Sequence, residues 1–105
     1  MTTRKISERE LQSVVIETAQ HYGWMVHHDR PAMNARGDWR TAIAGHPGFP
    51  DLVLVRTGQV LFVELKTDRG RLSAMQEQWR IAFDGLLEVW RPSDWLDGTV
   101  TRTLR

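Results

Sequence analysis

The residues best placed to do chemistry are two acids and a lysine, Asp51, Glu64 and Lys66. Asp51-Leu52-Val53-Leu54-Val55 and Gln59-Val60-Leu61-Phe62-Val63-Glu64-Leu65-Lys66 are apolar runs rich in β-branched and aromatic residues, as strands are. Thr57-Gly58 between them is a turn signal. A hairpin closing there pairs Arg56 with Gln59 and Val55 with Val60, and so brings Asp51 opposite Glu64. Like charges facing each other across a strand pair repel. Carboxylates among apolar neighbours are costly unless paired or bound to metal. Lys66 lies two residues past Glu64 on the same face and offsets part of the repulsion. A divalent cation offsets more. An all-oxygen set suits a hard ion such as Mg²⁺ or Mn²⁺, and magnesium commonly takes one or two carboxylates beside waters and a substrate phosphate. Asp51, Glu64 and the backbone carbonyl of Leu65 make such a partial shell. An ion held there lowers the pKa of its water and polarises a phosphoryl group. Lys66 is then placed to hold or deprotonate that water, or to offset charge on the phosphorus. Taken singly, each residue also has a structural reading. Asp51 can cap a strand after Gly48-Phe49-Pro50, and Glu64 can pair with Lys66 at a strand end.

These groups need a frame. Ser7 to Tyr22 reads as a helix, with Ser7 as N-cap, Glu10 completing a capping box, and Leu11, Val14, Val15, Ala19 and Tyr22 at helical spacing. Gly23 ends it. Trp24 to His28 reads as a short strand, and Asp29 to Gly48 as a long loop of the kind that is often functional. After the hairpin, Thr67 to Leu72 is a polar connection. Ser73 caps a second helix, Ala74 to Asp84, whose expected buried stripe is Met75, Trp79, Ala82 and Phe83. Leu86 to Arg91 is a last strand, Pro92 to Trp95 a helical turn, and Thr99 to Arg105 a tail readable as an edge strand. The first three strands suit an antiparallel meander, and strand, helix and strand after them suit a parallel crossover. The expectation is a small α/β fold in the order αβββαβ, a mixed sheet with a helix on each face.

The chain of 105 residues reads as one domain, 1–105, able to bury only a small core. No apolar run approaches a membrane span and the N-terminus has no signal-peptide core. With no cysteine there is neither a disulfide scaffold nor a thiolate zinc site, which points to the cytoplasm, that of a host cell if the protein is virus-encoded. His21, His27, His28 and His46 match no zinc spacing. A net charge of +1 does not by itself announce a polyanion partner, but Arg36 and Arg40 in the long loop and Arg69 and Arg71 after Lys66 are candidate phosphate contacts. Trp39, among those arginines, is the best candidate to stack on a base.

Pro50-Asp51 followed by Glu64-Leu65-Lys66 resembles the motif of PD-(D/E)XK nucleases. The flanks Ser7-Glu8, Leu11-Gln12, Gly23-Trp24, Gly48-Phe49-Pro50-Asp51 and Gly70-Arg71-Leu72-Ser73 with Gln76 resemble its VRR-NUC branch, from about Ser7 to about Trp95. The resemblance implies a restriction-endonuclease-like core, Mg²⁺ or Mn²⁺ dependence and hydrolysis of DNA. It implies Asp51 and Glu64 as metal-binding acids, Lys66 as the catalytic lysine, Gln76 as the second-helix glutamine, and a first-helix glutamate. Both Glu8 and Glu10 are candidates for that glutamate. Glu8 is favoured because it shares a face with Leu11, Gln12, Val15 and Ala19. Stand-alone members of this size are similar to dimeric Holliday-junction resolvases, so a homodimer acting on branched DNA is expected. The alternatives are a junction-binding module without turnover and a nuclease acting on flaps or single strands.

Overall fold

The structure, a computed structural model, describes residues 5–29, 32–33, 39–40 and 44–105, with backbone alone at 32–33 and 39–40. Helix α1 (Glu8–His21) begins where its cap predicts. The Glu10 N–H donates to Ser7 Oγ at 3.1 Å, and the Ser7 N–H donates to Glu10 Oε1 at 3.4 Å. Leu11, Val15 and Ala19 form its buried stripe. Strand β1 (Met25–His28) follows, then two short strands, β2 (Ala32–Met33) and β3 (Trp39–Arg40), which pair with each other in the segment expected to be loop. Two-residue strands are too short to leave a periodic pattern.

Strands β4 (Leu52–Arg56) and β5 (Gln59–Leu65) form the hairpin in the expected register, from Arg56–Gln59 at the turn to Leu52–Val63 at the open end. Thr57 and Gly58 both take positive φ, 40° and 79°, as a two-residue turn of the hand that suits twisted strands requires. Helix α2 (Ala74–Phe83) then leads to β6 (Leu87–Trp90), and two short helices, α3 (Pro92–Leu96) and α4 (Thr99–Leu104), end the chain. The main sheet has the order β1-β4-β5-β6, antiparallel except for the parallel β5–β6 pair. The fold is thus α/β with a mixed four-stranded sheet, compatible with a restriction-endonuclease-like core.

Alternation along the strands divides the sheet into two faces. Leu52, Leu54, Val63, Leu65 and Trp90 pack with Leu11, Val15 and Ala19 of α1 and with Val100 and Leu104 of α4 in one buried cluster. Each such side chain contributes roughly 1.5–3 kcal/mol by leaving water. The tail is therefore a helix rather than the expected edge strand. Its threonines favour strand, but Gly98 turns the chain at φ 87° and the four-residue spacing of Val100 and Leu104 places both in the core. Arg56 closes this end. Its Nη1 donates to the carbonyls of Tyr22 (3.0 Å) and Leu104 (2.9 Å), and its guanidinium lies 4.3 Å over the Trp24 ring.

The other face carries Val53, Val55, Val60, Phe62 and Glu64 and, among the described residues, meets α2 through Phe83 and the loop before β4 through Phe49. No residue of α2 is fully buried, which corrects the expected stripe. Met75, Trp79 and Phe83 are half-buried, and Ala82 is exposed. A single ten-residue helix cannot cover four strands.

Candidate active site

At the open end of the hairpin, one step past the Leu52–Val63 pair, Asp51 and Glu64 exchange backbone and side chain. The Asp51 N–H donates to Glu64 Oε2 at 3.3 Å, and the Leu65 N–H donates to Asp51 Oδ2 at 2.7 Å. The paired register ends at Leu52–Val63, and extended past Asp51 it would set Pro50 opposite Leu65. Proline has no N–H, so the ladder cannot continue from it to the Leu65 carbonyl. The proline before Asp51 thus ends the pairing just where a carbonyl oxygen is wanted beside two carboxylates.

Glu64 is 3% exposed and, among the described residues, is the one charged side chain in the buried set. Burial, then the charge and hydrogen bonding of Asp51, push its carboxyl up to about 8, with Lys66 acting in the opposite direction. Near neutral pH this acid holds its proton much of the time unless a cation favours the charged form. Gln76 supplies its other contact. Its Oε1 accepts from the Ser73 N–H at 2.8 Å in a capping box, and the same amide turns its Nε2 onto Glu64 Oε1 in a short hydrogen bond. A glutamate there would cap α2 equally well but would set a third carboxylate against the pair.

Gly48 makes this approach possible. At φ 85°, a Cβ on it would lie 3.0 Å from Met75 Cβ and 3.1 Å from the Gln76 nitrogen, so the strand leading to Asp51 runs in contact with the first turn of α2. Lys66 follows Glu64 on the same face, its N–H donating to the Trp90 carbonyl at 3.0 Å. The turn after it is held from β6. Nη1 of Arg91 donates to the carbonyls of Thr67 and Gly70, both at 2.6 Å, and Asp68 Oδ1 accepts from the Ser93 N–H at 3.0 Å. Arg69 and Arg71, on this turn and just beyond it, are exposed.

Not every predicted residue converges. Glu8 is exposed in the first turn of α1, on the stripe of Leu11, Val15 and Ala19, and Glu10 is engaged in the capping box. Among the described residues no group of three or more histidines or acids forms a site for a metal, so Asp51 and Glu64 stand as a pair. The side chains of Arg36, Trp39 and Arg40 lie outside the described residues, with only the backbone of Trp39 and Arg40 placed, in β3. Two further contributors stand out, His28, which alternation along its strand only hints at, and Arg91, which carried no usable signal in the sequence. His28 places Nδ1 3.2 Å from the Asp51 carbonyl, and Arg91 reaches back 21 and 24 residues to its partners. The donors that are present fit a divalent ion: two carboxylates of which one is buried, and a carbonyl oxygen that Pro50 cannot bond.

The site thus brings together a buried glutamate, a half-buried aspartate at the hairpin mouth, a lysine two residues on and a helix amide that donates into the pair. A family model, the VRR-NUC domain, matches residues 6–86. The chain belongs to the VRR-NUC family and carries a nuclease domain of the PD-(D/E)XK type. No curated protein and no solved structure matches it. Among the described residues no helix is long and apolar enough to cross a membrane.

Proposed function

We propose that this domain is a divalent-metal-dependent DNA endonuclease that selects its substrate by DNA structure, with the Asp51–Glu64 pair as its metal-binding acids. What carries the reading is Glu64, an acid 3% exposed and set against a second acid. Such a pair is costly to keep without a cation. Asp51, Glu64 and the Leu65 carbonyl would hold Mg²⁺ or Mn²⁺. When bound, the ion supplies an activated water and polarisation of the scissile phosphate. Gln76 keeps the Glu64 carboxyl in one orientation through an amide that is itself fixed by Ser73. Lys66 brings positive charge to the same face and compensates the charge that develops on phosphorus. Glu8, at the start of α1, acts at the edge of the site, through water. Arg69 and Arg71, with Arg36 and Arg40, bind backbone phosphates without reading bases, which makes affinity strongly salt-dependent. Symmetric cutting of a four-way junction needs two such sites, hence a homodimer.

The test is a panel of labelled junction, flap, nicked, single-stranded and duplex DNAs incubated with Mg²⁺ or Mn²⁺, comparing the wild-type chain with Glu64→Gln. Cleavage by the wild type that is lost in the variant and in EDTA is the expected result. A Glu64→Gln protein that still cuts, or a wild type that binds junctions and cuts nothing, would overturn the assignment. Light scattering with and without junction DNA reads the oligomeric state.

A further inference from the structure

Between α2 and the loop that leads to Asp51 lies a cavity of about 200 Å³ lined by His46, Met75, Gln78, Trp79 and Ala82. Its floor is rigid. The Trp79 indole stacks on Phe83 with centroids 5.6 Å apart and meets the edge of Phe49 at 5.2 Å. Its Nε1 donates to the Pro47 carbonyl at 2.8 Å. Phe83 in turn stacks on Phe62 of the sheet at 4.2 Å. The walls are apolar except for His46 and Gln78. Both are exposed, and among the described residues neither side chain makes a hydrogen bond. Among the described residues the lining is a histidine, an amide and apolar or aromatic side chains, which suits a ring better than a phosphate. It is smaller than the roughly 300–1,000 Å³ of sites for drug-sized ligands and suits one flat ring system with hydrogen-bonding edges.

The position of the cavity identifies the ring. Met75 is the immediate neighbour of Gln76, which donates to Glu64, and Gln78 and Trp79 lie within the next turn of α2. One helical turn rises about 5.4 Å and stacked nucleotides are about 3.4 Å apart along a strand. The step along α2 from Gln76 to Trp79 is thus comparable in length to one or two nucleotides along a strand.

Given the nuclease function proposed above, we infer that this cavity receives a single unstacked nucleobase of the strand being cut, one or two nucleotides from the scissile phosphate. The base stacks against the Met75–Trp79 wall and offers its edge to Gln78 and His46. A base inside a continuous duplex cannot enter without leaving its stack. The site thus favours strands with an unpaired nucleotide next to the cut, whether at a branch, a flap or in single-stranded DNA. Gln78 and His46 each donate and accept hydrogen bonds, so preference among the four bases is weak.

Tryptophan emission tests this without metal or turnover. In EDTA, a short single strand should quench wild-type emission saturably, and Trp79→Phe made in a Trp39→Phe background, which keeps the aromatic cluster and removes the other candidate stacking residue, should abolish most of the change that remains. Gln78→Ala, an exposed position safe for folding, should weaken binding of the strand. In Mn²⁺, a strand with an abasic residue at one of the two positions beside the cleaved phosphate should bind about tenfold more weakly than the intact strand. Equal quenching with and without Trp79→Phe in that background, or equal affinity for abasic and intact strands, overturns the base site, and does so even if both strands are cut. Absence of cutting with normal quenching would instead sink the nuclease reading and leave the base site standing. If emission responds to self-association and not to DNA, the cavity belongs to a protein contact and the proposal falls.

Discussion

On one face of the sheet Leu52, Leu54 and Val63 are 0% exposed, and Leu65 and Trp90 1%, beneath α1 and α4. On the other, Val55, Val60 and Met25 are 39%, 43% and 77% exposed, and α2 buries no residue completely. The first face holds the chain folded. Among the described residues the second is the more open, and it concentrates the features that cost stability: a buried glutamate set against a second acid, a helix lying against a backbone that only glycine allows, and aromatic rings half in water. The apolar cluster on one side stabilises a working surface on the other.

The contrast can be broken most severely from the closed side. Leu54→Ala should cost about 2–5 kcal/mol, whereas Val60→Ala on the open face should cost no more than about 1 kcal/mol. Urea unfolding of the two variants measures the difference, and equal losses would mean that the faces are not unequal in the way described. Glu64→Gln should part function from stability. Cleavage should fall by roughly 10²-fold or more, while thermal stability at pH 8 rises, because the amide needs no charge compensation.

The pH dependence sharpens the same point. Glu64 is raised in the folded chain from 4.5 to about 8, so between those values the folded state holds a proton that the unfolded state has lost. Stability from this group is therefore full below about pH 4.5, falls as pH rises, and is gone above about pH 8. Melting curves across this range should show the fall in wild type and its absence in Glu64→Gln. Mn²⁺ should raise the melting temperature of wild type more at pH 8 than at pH 6, since ion and proton compete for the same oxygens. The smallest expected effect lies far from both faces. Thr57 is a β-branched residue at φ 40°, and Thr57→Asn should stabilise the hairpin by about 0.5–1 kcal/mol without altering cleavage.

What could be read from the sequence follows the range of the interactions involved. The hairpin register, the capping box of α1, the Ser73 cap of α2 and the parallel crossover come from neighbours close in the chain or from strict alternation, and Asp51 opposite Glu64 follows from the turn alone. The helical tail does not, because its threonines favour strand and only packing of Val100 and Leu104 against distant elements decides otherwise. The openness of α2 was equally hidden. Its periodic stripe says which side turns inward and nothing of how much sheet there is to cover. Alternation along its strand gives the side on which His28 lies but not its partner 23 residues away, and Arg91 acts through contacts more than twenty residues away, where no local spacing reports them.

Arg91 has one more consequence. By gripping the Thr67 and Gly70 carbonyls it fixes the turn on which Arg69 sits and from which Arg71 departs, before any nucleic acid arrives. The conformational freedom of that segment is lost when the chain folds, so none is left to lose on binding. Association should then be a matter of diffusion and ionic strength, fast and free of a rearrangement step. Loosening the grip with Arg91→Ala should show itself first as a slower, concentration-independent phase in stopped-flow binding.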